Sequence, residues 1–498
     1  MKKKQVNSCP ALMFQGTGSD VGKSLLVAGL CRAFKKRGVQ VRPFKPQNMS
    51  NNAAVTCEGG EIGRAQALQA KACGLLPSIH MNPILLKPES ETGSQVIVQG
   101  KRMATLKAKD YHFLKPDLME RVIKSYHHTA NLCDLVLIEG AGSAAEVNLR
   151  ASDIANMGFA VAADVPVVLI GDIDRGGVIA SIVGTHQLLE ENERSLLAGY
   201  IINKFRGDPS LFSSADKIIH KNTSLNSFGL VPYFPNSKFL PKEDAMALDL
   251  QAKDEGKKDI LIVVPRFSRI ANFDDLDPLS SEADVNVMIV EAGHPLPCNA
   301  DLILLPGSKS TMADLEFLRN QGWDIDIKAH LRRGGLVVGL CGGYQMLGTC
   351  LTDPSGIEGF VGEMEGLGLL NMETVLTENK TLETVTGKDI RSGEKVLGYE
   401  MHIGVSDGPA RKNPWIRFKD GRTEGAISLD GLVMGSYLHG IFASDGFRHA
   451  FLSSLRSGRI QSNAYDTMVE KTLDELAEHL EFFLDIDALH VAALQSNI

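Results

Sequence analysis

No two of the eight cysteines (Cys9, Cys31, Cys57, Cys73, Cys133, Cys298, Cys341, Cys350) form a C-x-x-C pair, and their spacing suits neither a zinc site nor a small disulfide scaffold. Reduced thiols in a cytoplasmic protein are the simplest account. No stretch approaches the roughly 18 apolar residues that a membrane-spanning helix requires. The basic start, Met1-Lys2-Lys3-Lys4, runs into an apolar stretch that breaks at Gln15-Gly16-Thr17-Gly18, too soon for a secretory signal. An excess of positive charge is missing too. With 52 Lys and Arg against 60 Asp and Glu, the net charge of −8 argues against a nucleic-acid partner held by its phosphates. Any anionic substrate must therefore meet local positive groups. Internal repeats and low-complexity tracts are also absent. What remains is a 498-residue globular chain, 44% hydrophobic and 22% charged, with length for about two to four cores.

Short β-branched runs alternate with longer helical stretches in the first half, which predicts an α/β fold with a parallel sheet covered by helices. Strands are expected near 10–15, 39–44, 134–138, 166–170 and 196–202, and helices after Gly22 and around 61–73, 115–129, 178–189 and 209–220. A polar, breaker-rich segment, 235–258, reads as a linker. A second alternation begins at Ile260 and continues through Val285–Val290, Leu302–Leu305 and Leu336–Gly339. From about 365 the strands become shorter and Gly-punctuated. Leu473, Leu476, Leu480 and Phe483 recur at helical spacing, predicting a helix over 466–484 that packs on its own domain. The expected organisation is a first domain over 8–234, the linker, a second domain over 259–450 and a C-terminal helical extension over 451–498.

The first strand runs into Gly16-Thr17-Gly18-Ser19-Asp20-Val21-Gly22-Lys23-Ser24, and a helix follows. Glycines such as Gly16, Gly18 and Gly22 let backbone N–H groups converge on phosphates, Lys23 reaches the terminal phosphates of ATP, and the Ser24 hydroxyl can ligate Mg²⁺. One extra residue in the loop, with an acid at Asp20, resembles the dethiobiotin-synthetase variant of the P-loop, and Asp20 joins Ser24 as a candidate metal ligand. Leu135-Val136-Leu137-Ile138-Glu139 ends an apolar strand in a carboxylate, which makes Glu139 another. Asp172, Asp174 and Arg175 stand at a further strand end and suit metal or substrate-carboxylate contacts, although one acid can equally cap the next helix. Asn203 ends a later strand, where an amide offers both donor and acceptor to adenine.

In the second half, Leu336–Gly348 reads as a strand, a sharp turn carrying Cys341, and a helix. That turn raises the sulfur at a helix N-terminus, which favours the thiolate, and Gly342 and Gly343 leave room for a carbonyl. Gly342, together with Gly307 in Leu305-Pro306-Gly307-Ser308, can supply the oxyanion-hole N–H donors. His439, in Ser436-Tyr437-Leu438-His439-Gly440, is placed as general base for the thiol and general acid for departing ammonia.

This half resembles the class I glutamine amidotransferases, a flavodoxin-like fold that hydrolyses glutamine through a Cys-His pair. Many members carry a carboxylate two residues after the histidine, and here that position is Ile441. The third residue must come from elsewhere, with Glu400 in Gly398-Tyr399-Glu400-Met401-His402 as a candidate. A dethiobiotin-synthetase-like domain ahead of such a glutaminase resembles the cobyric acid synthase family of cobalamin biosynthesis. The resemblance extends to Phe44-Lys45-Pro46-Gln47-Asn48-Met49-Ser50-Asn51-Asn52, Gly63-Arg64-Ala65-Gln66, 81–88, Gly93-Ser94-Gln95-Val96 and 148–156. These polar strings are expected to be loops around a large polar ligand. The resemblance implies ATP- and glutamine-dependent amidation of a corrinoid polycarboxylate, adenosylcobyrinic acid a,c-diamide, at its b, d, e and g carboxylates. It also implies that Lys45 helps bind ATP and that Gln47 and Asn48 meet the substrate. Rivals are the cobyrinic acid a,c-diamide synthases, which share both domains, and a nucleotide switch of the ParA or MinD type with a C-terminal binding module.

Overall fold

The computed structural model describes residues 9–89, 93–243, 258–359, 361–460 and 464–495. Most of the expected linker, 244–257, and the basic start therefore lie outside the described residues. The chain divides into two compact units, one formed by 1–50, 56–240 and 469–498, the other by 51–55 and 241–468.

The first unit is built on a six-stranded parallel sheet in the order Ser227–Pro232, Leu197–Phe205, Val167–Asp172, Ala11–Gly16, Leu135–Ser143, Val41–Phe44. Ala11–Phe14, Leu135–Ile138 and Val167–Ile170 are buried throughout, as strands covered on both faces must be, which is why their sequences are continuous apolar runs. Helix Lys23–Lys36 follows the first strand directly and buries Leu26, Val27, Leu30 and Phe34. A smaller sheet joins Gln47–Met49, Ile84–Pro88, Gly93–Val98 and Lys101–Lys107. The strings around 81–88 and 93–96, expected as loops, are thus strands. Their polar residues hide the alternation because they are buried in pairs: Lys87 Nζ lies 2.6 Å from Glu61 Oε2, and both residues are buried.

The second unit carries a parallel sheet in the order Val285–Val290, Ile260–Pro265, Leu302–Leu305, Leu336–Leu340, Val433–Ser436, with Ala426–Ile427 added antiparallel at the edge. A long antiparallel hairpin, Glu373–Asp389 with Lys395–Asp407, forms the spine of a further sheet, and Leu438–His439 pairs on its edge.

The expected C-terminal extension, 451–498, is divided between the two units. Helix Asp445–Leu455 stays with the second unit, but from residue 469 the chain belongs to the first. In helix Tyr465–Phe483, Leu473, Leu476 and Leu480 are buried, and a Cβ added to Gly29 would meet Leu480 Cδ1 at 2.5 Å. Arg32 Nη2 reaches Glu470 at 2.5 Å and Lys36 reaches Glu478 at 2.9 Å, across 438 and 442 positions of sequence. An apolar stripe flanked by acids has found the helix whose stripe is flanked by bases. Among the described residues no helix is long and apolar enough to cross a membrane, and all eight cysteines are free.

Candidate functional site

Gly22 closes the loop at the end of the first strand with φ +95°, and its missing Cβ would lie 2.3 Å from Asn203 Nδ2. Only glycine tolerates both the conformation and the approach. The Thr17 amide is tied to Ile170 O at 3.0 Å, so the loop is anchored to the neighbouring strand. Lys23 Nζ lies across it and donates to Gly142 O at 2.8 Å. Ser24 Oγ donates to Glu139 Oε1 at 2.7 Å, and Lys45 Nζ meets the same oxygen at 2.7 Å. The other oxygen accepts from Gln69 Nε2 at 2.6 Å. Glu139 is fully buried, and an ammonium and three neutral donors, Ser24, Gln69 and, at 3.5 Å, Gln66, surround its oxygens.

Ser24, Glu139, Lys23 and Lys45 thus come together. Asp20 does not join them: its carboxylate faces Arg175 at 3.4 Å. Asp172 accepts from Lys204 Nζ at 2.9 Å and Asp174 from Arg206 Nε at 3.1 Å, while Arg175 is largely exposed. Asn203, expected at adenine, donates its amide to Val21 O at 2.8 Å and props the loop from beneath. Gln47 accepts from Tyr111 Oη at 2.6 Å, and Asn48 donates to Gln66 Oε1 at 2.9 Å. In the string 148–156, Asp153 accepts from the Ala155, Asn156 and Gly158 amides at 2.8–3.0 Å and starts helix Met157–Ala163.

In the second unit Cys341 follows strand Leu336–Leu340 with φ 50°, a positive value that a non-glycine residue rarely adopts. Strain of this kind persists only when the surroundings enforce it. Here the Cys341 amide is held by Ser436 O at 2.8 Å, and its own carbonyl accepts from the Gln345 amide at 3.0 Å. The thiol faces Met401 O at 3.6 Å. A Cβ on Gly342 would come within 2.9 Å of the Ser308 nitrogen, and one on Gly307 within 3.1 Å of His439 Cε1. The two expected oxyanion segments therefore abut beside the histidine.

His439 is buried, and its Nδ1 lies 2.7 Å from Asp275 Oδ2. The second Asp275 oxygen accepts from the Gly440 amide at 2.6 Å, which fixes the carboxylate in the imidazole plane's reach. Tyr399 stacks on the ring at 5.3 Å. Burial pulls the imidazole down, but the charges of Asp275 and Cys341 outweigh it and raise its pKa to about 10. Among the described residues no group meets the buried Nε2 at hydrogen-bond geometry. The acid in contact with the imidazole is thus Asp275, and not the candidate Glu400. Glu400 pairs in register with Leu438 rather than His439, and its carboxylate approaches Arg422 at 3.6 Å. Ile441, at the usual position, is wholly buried among apolar residues.

Sequence reasoning missed Asp275, 164 positions from His439, and Asp314, which accepts from Ser268 Oγ and Ser308 Oγ at 2.6 Å each and from the Arg269 amide at 3.2 Å. Asp314 thereby pins the segment that carries Gly307 and Ser308. The local signal was an unassigned acid pair, Asp274-Asp275, after the short run Ile270-Ala271-Asn272-Phe273.

Residues 12–247 match a family model described as the CobQ/CobB/MinD/ParA nucleotide binding domain, and residues 261–447 one described as the CobB/CobQ-like glutamine amidotransferase domain. A curated relative from Methylorubrum populi, named cobyric acid synthase, is 58% identical over 96% of this chain and 98% of its own length. A relative of the same name from Cereibacter sphaeroides is 57% identical over 96% of this chain and 99% of its own. One from Rhodobacter capsulatus is 56% identical over 96% and 98%.

Proposed function

The chain belongs to the cobyric acid synthase family, and from that premise we propose that it is a glutamine-dependent amidoligase that amidates the b, d, e and g carboxylates of adenosylcobyrinic acid a,c-diamide at the expense of ATP. The observation that supports this reading best is the coexistence, in one chain, of the Cys341–His439–Asp275 set and the Lys23–Ser24–Glu139 group. One releases ammonia and the other handles a phosphoryl group. Neither alone makes an amide.

A carboxylate is a poor electrophile. Transfer of the γ-phosphoryl group from ATP converts it to an acyl phosphate, a loose process that depends on positioning and charge neutralisation. Lys23, lying across the loop, and Lys45, on the buried carboxylate, supply that positive charge. Ser24 and Glu139 fit a magnesium ion: both offer hard oxygens, 2.7 Å apart, and an ion that keeps phosphate oxygens and waters needs only one or two protein ligands. When bound, Mg²⁺ would neutralise phosphate charge.

In the second unit the Cys341 thiolate attacks the side-chain carbonyl of glutamine, with the Gly307–Ser308 and Gly342 amides stabilising the oxyanion. The His439 imidazolium passes its Nε2 proton to the departing ammonia, and the neutral ring then takes a proton from the water that cleaves the thioester. Asp275 holds Nδ1 protonated throughout. Ammonia displaces phosphate from the acyl phosphate and the amide results.

Mass spectrometry of the diamide incubated with protein, MgATP and glutamine tests the reading. Four successive decreases of about one mass unit, OH replaced by NH₂, are expected. An unchanged substrate with active glutamine hydrolysis would overturn it.

A further inference from the structure

Beside the groups already given a role in the phosphate site, helix Arg64–Cys73 turns two glutamines toward it. Gln66 and Gln69 stand three positions apart, which puts them on one face of the helix, and both are wholly buried. Burying an amide is costly unless its hydrogens find acceptors, so the acceptors they find are informative. Gln69 Nε2 donates to Glu139 Oε2 at 2.6 Å, and it also reaches Ser24 O at 3.4 Å. One amide nitrogen thereby ties together the two segments that offer oxygens to a magnesium ion. Gln66 is held from its other end, since its Oε1 accepts from Asn48 Nδ2 at 2.9 Å, and its Nε2 stands 3.5 Å from the same carboxylate oxygen.

The two oxygens of Glu139 are therefore used differently. Oε1 faces Ser24 Oγ and Lys45 Nζ, each at 2.7 Å, whereas Oε2 is taken up by the amides of helix Arg64–Cys73. Gln69 gives something up to do this. Its Oε1 is buried and has no hydrogen-bond partner among the described residues, and turning the amide over would set that oxygen against the carboxylate at 2.6 Å. The donor end stays on Glu139 although the acceptor end goes unmet.

We infer that Gln69 is a positioning residue that selects the cation: by holding Glu139 Oε2 it leaves only Oε1 for a metal, so the carboxylate can bind through one oxygen but not through both. The inference rests on the first unit holding a divalent cation at Ser24 and Glu139. Calcium, the larger ion, gathers about six to eight oxygens and gains from a carboxylate that binds with both, whereas magnesium is smaller, holds to near-octahedral order and keeps several waters. A carboxylate with one oxygen withheld thus handicaps calcium more than magnesium. The link to Ser24 O acts in the same direction, because a site whose two donor residues are tied together cannot widen around a larger ion.

Manganese bound to the full-length protein with a non-hydrolysable ATP analogue tests this by electron paramagnetic resonance, with Mg²⁺ and Ca²⁺ as competitors and the nucleotide alone as control. The quantity read is the ratio of the Ca²⁺ and Mg²⁺ concentrations that displace Mn²⁺. Gln69→Met, which keeps the length and loses the donor, should shift that ratio toward Ca²⁺ by roughly 10-fold or more, the usual weight of a group that orients a metal ligand, and the wild type should favour Mg²⁺ by at least that factor. Gln66→Met, whose amide stands farther from the oxygen, should shift it by less. A merely structural role would weaken both ions alike and leave the ratio where it was, which overturns the inference, as does a shift at least as large for Gln66→Met. A wild type that yields Mn²⁺ to both ions equally overturns it without any variant having to fold. If no Mn²⁺ binds beyond the nucleotide control, the metal reading of Ser24 and Glu139 falls together with this one, whereas binding without a change of ratio removes this one alone.

Discussion

Each unit buries a carboxylate at its site, and the two are neutralised by different means. Glu139 is matched by the Lys45 ammonium with Ser24, Gln69 and Gln66 as neutral donors. Asp275 is matched by His439 and a backbone amide. In the proposed reactions no proton leaves Lys45, whereas His439 gives up its Nε2 proton and takes one back. Charge in the phosphate site is therefore built in, whereas charge in the glutaminase site is part of the reaction. The difference suits the chemistry: one site must hold a constant field around a phosphoryl group, the other must give a proton away and take one back.

The largest effects should separate the two sites outright. Cys341→Ala is expected to abolish glutamine-dependent amidation, by roughly 10³-fold or more, and to leave ammonia-dependent amidation in place. His439→Ala should disable glutamate release about as severely, since base and nucleophile act as a unit. Lys23→Ala should remove amidation with either nitrogen source by a comparable factor. Parallel assays with glutamine and with ammonium chloride check all three. A Cys341 variant that is folded but dead with ammonia would show that the two sites are not separate machines.

Next in size is the charge that moves. Asp275→Asn should lower glutaminase kcat by roughly 10²- to 10⁴-fold, because the amide cannot hold Nδ1 protonated and cannot stabilise the imidazolium. The pH profile sharpens this. With its pKa raised to about 10, His439 stays protonated across the neutral range, so the alkaline limb of the rate should lie near pH 10. Removing the Asp275 charge leaves burial unopposed on that side, and the limb should move down in pH. The sign for stability is the same: a raised histidine contributes fully below the unfolded value of about 6.5 and its contribution is lost as pH rises through about 10. Lys45 gives the phosphate site no counterpart, so ammonia-dependent amidation should keep its profile in this variant. An unmoved alkaline limb in Asp275→Asn would break the comparison.

What the sequence made legible follows local physics. The phosphate loop and the cysteine elbow are strand–turn–helix units, complete within about a dozen residues, so residue order alone carried Gly22, Lys23, Ser24, Cys341 and Gly342 to their places. Asp275 was not legible because a catalytic acid needs no neighbour in sequence, only a short distance in space. Glu400 looked better by local context, but the acid 2.7 Å from His439 is Asp275. The strands Ile84–Pro88 and Gly93–Val98 were hidden by buried polar residues, Lys87 and Gln95, that interrupt an apolar pattern. For helix Tyr465–Phe483 the stripe was readable but not its partner, since Leu473, Leu476 and Leu480 state only that one face is covered.

The finest comparison is between the two props, Asp314 and Asn203. Each is a buried side chain on one element that fixes a loop on another, and neither touches the reacting groups. Asp314 gathers three donors, two hydroxyls at 2.6 Å and an amide at 3.2 Å, and burial lifts its carboxyl while those bonds oppose the shift. Asn203 makes one neutral bond, 2.8 Å to Val21 O. Bonds to a charged group are worth about twice neutral ones, and Asp314 makes more of them. Asp314→Asn keeps part of the set and is expected to lower glutaminase kcat about 10-fold by loosening the oxyanion segment.

Asn203→Ala removes a single bond of about 0.5–1.5 kcal/mol, which corresponds to roughly 2- to 13-fold. Its effect should appear as a rise in the KM for ATP with kcat nearly unchanged, because a slack loop binds phosphates less well yet still closes on them once occupied. Glutamine hydrolysis is the internal control and should not move. The alternative, that the Asn203 amide contacts the adenine ring, predicts a different readout: Asn203→Ala would then lose the preference for ATP over GTP, whereas a prop under the loop weakens both nucleotides alike. Equal weakening places Asn203 with Asp314 as a side chain whose work is to hold backbone still. A collapse of base preference would return it to the nucleotide and leave Asp314 as the only side chain of that kind in the comparison.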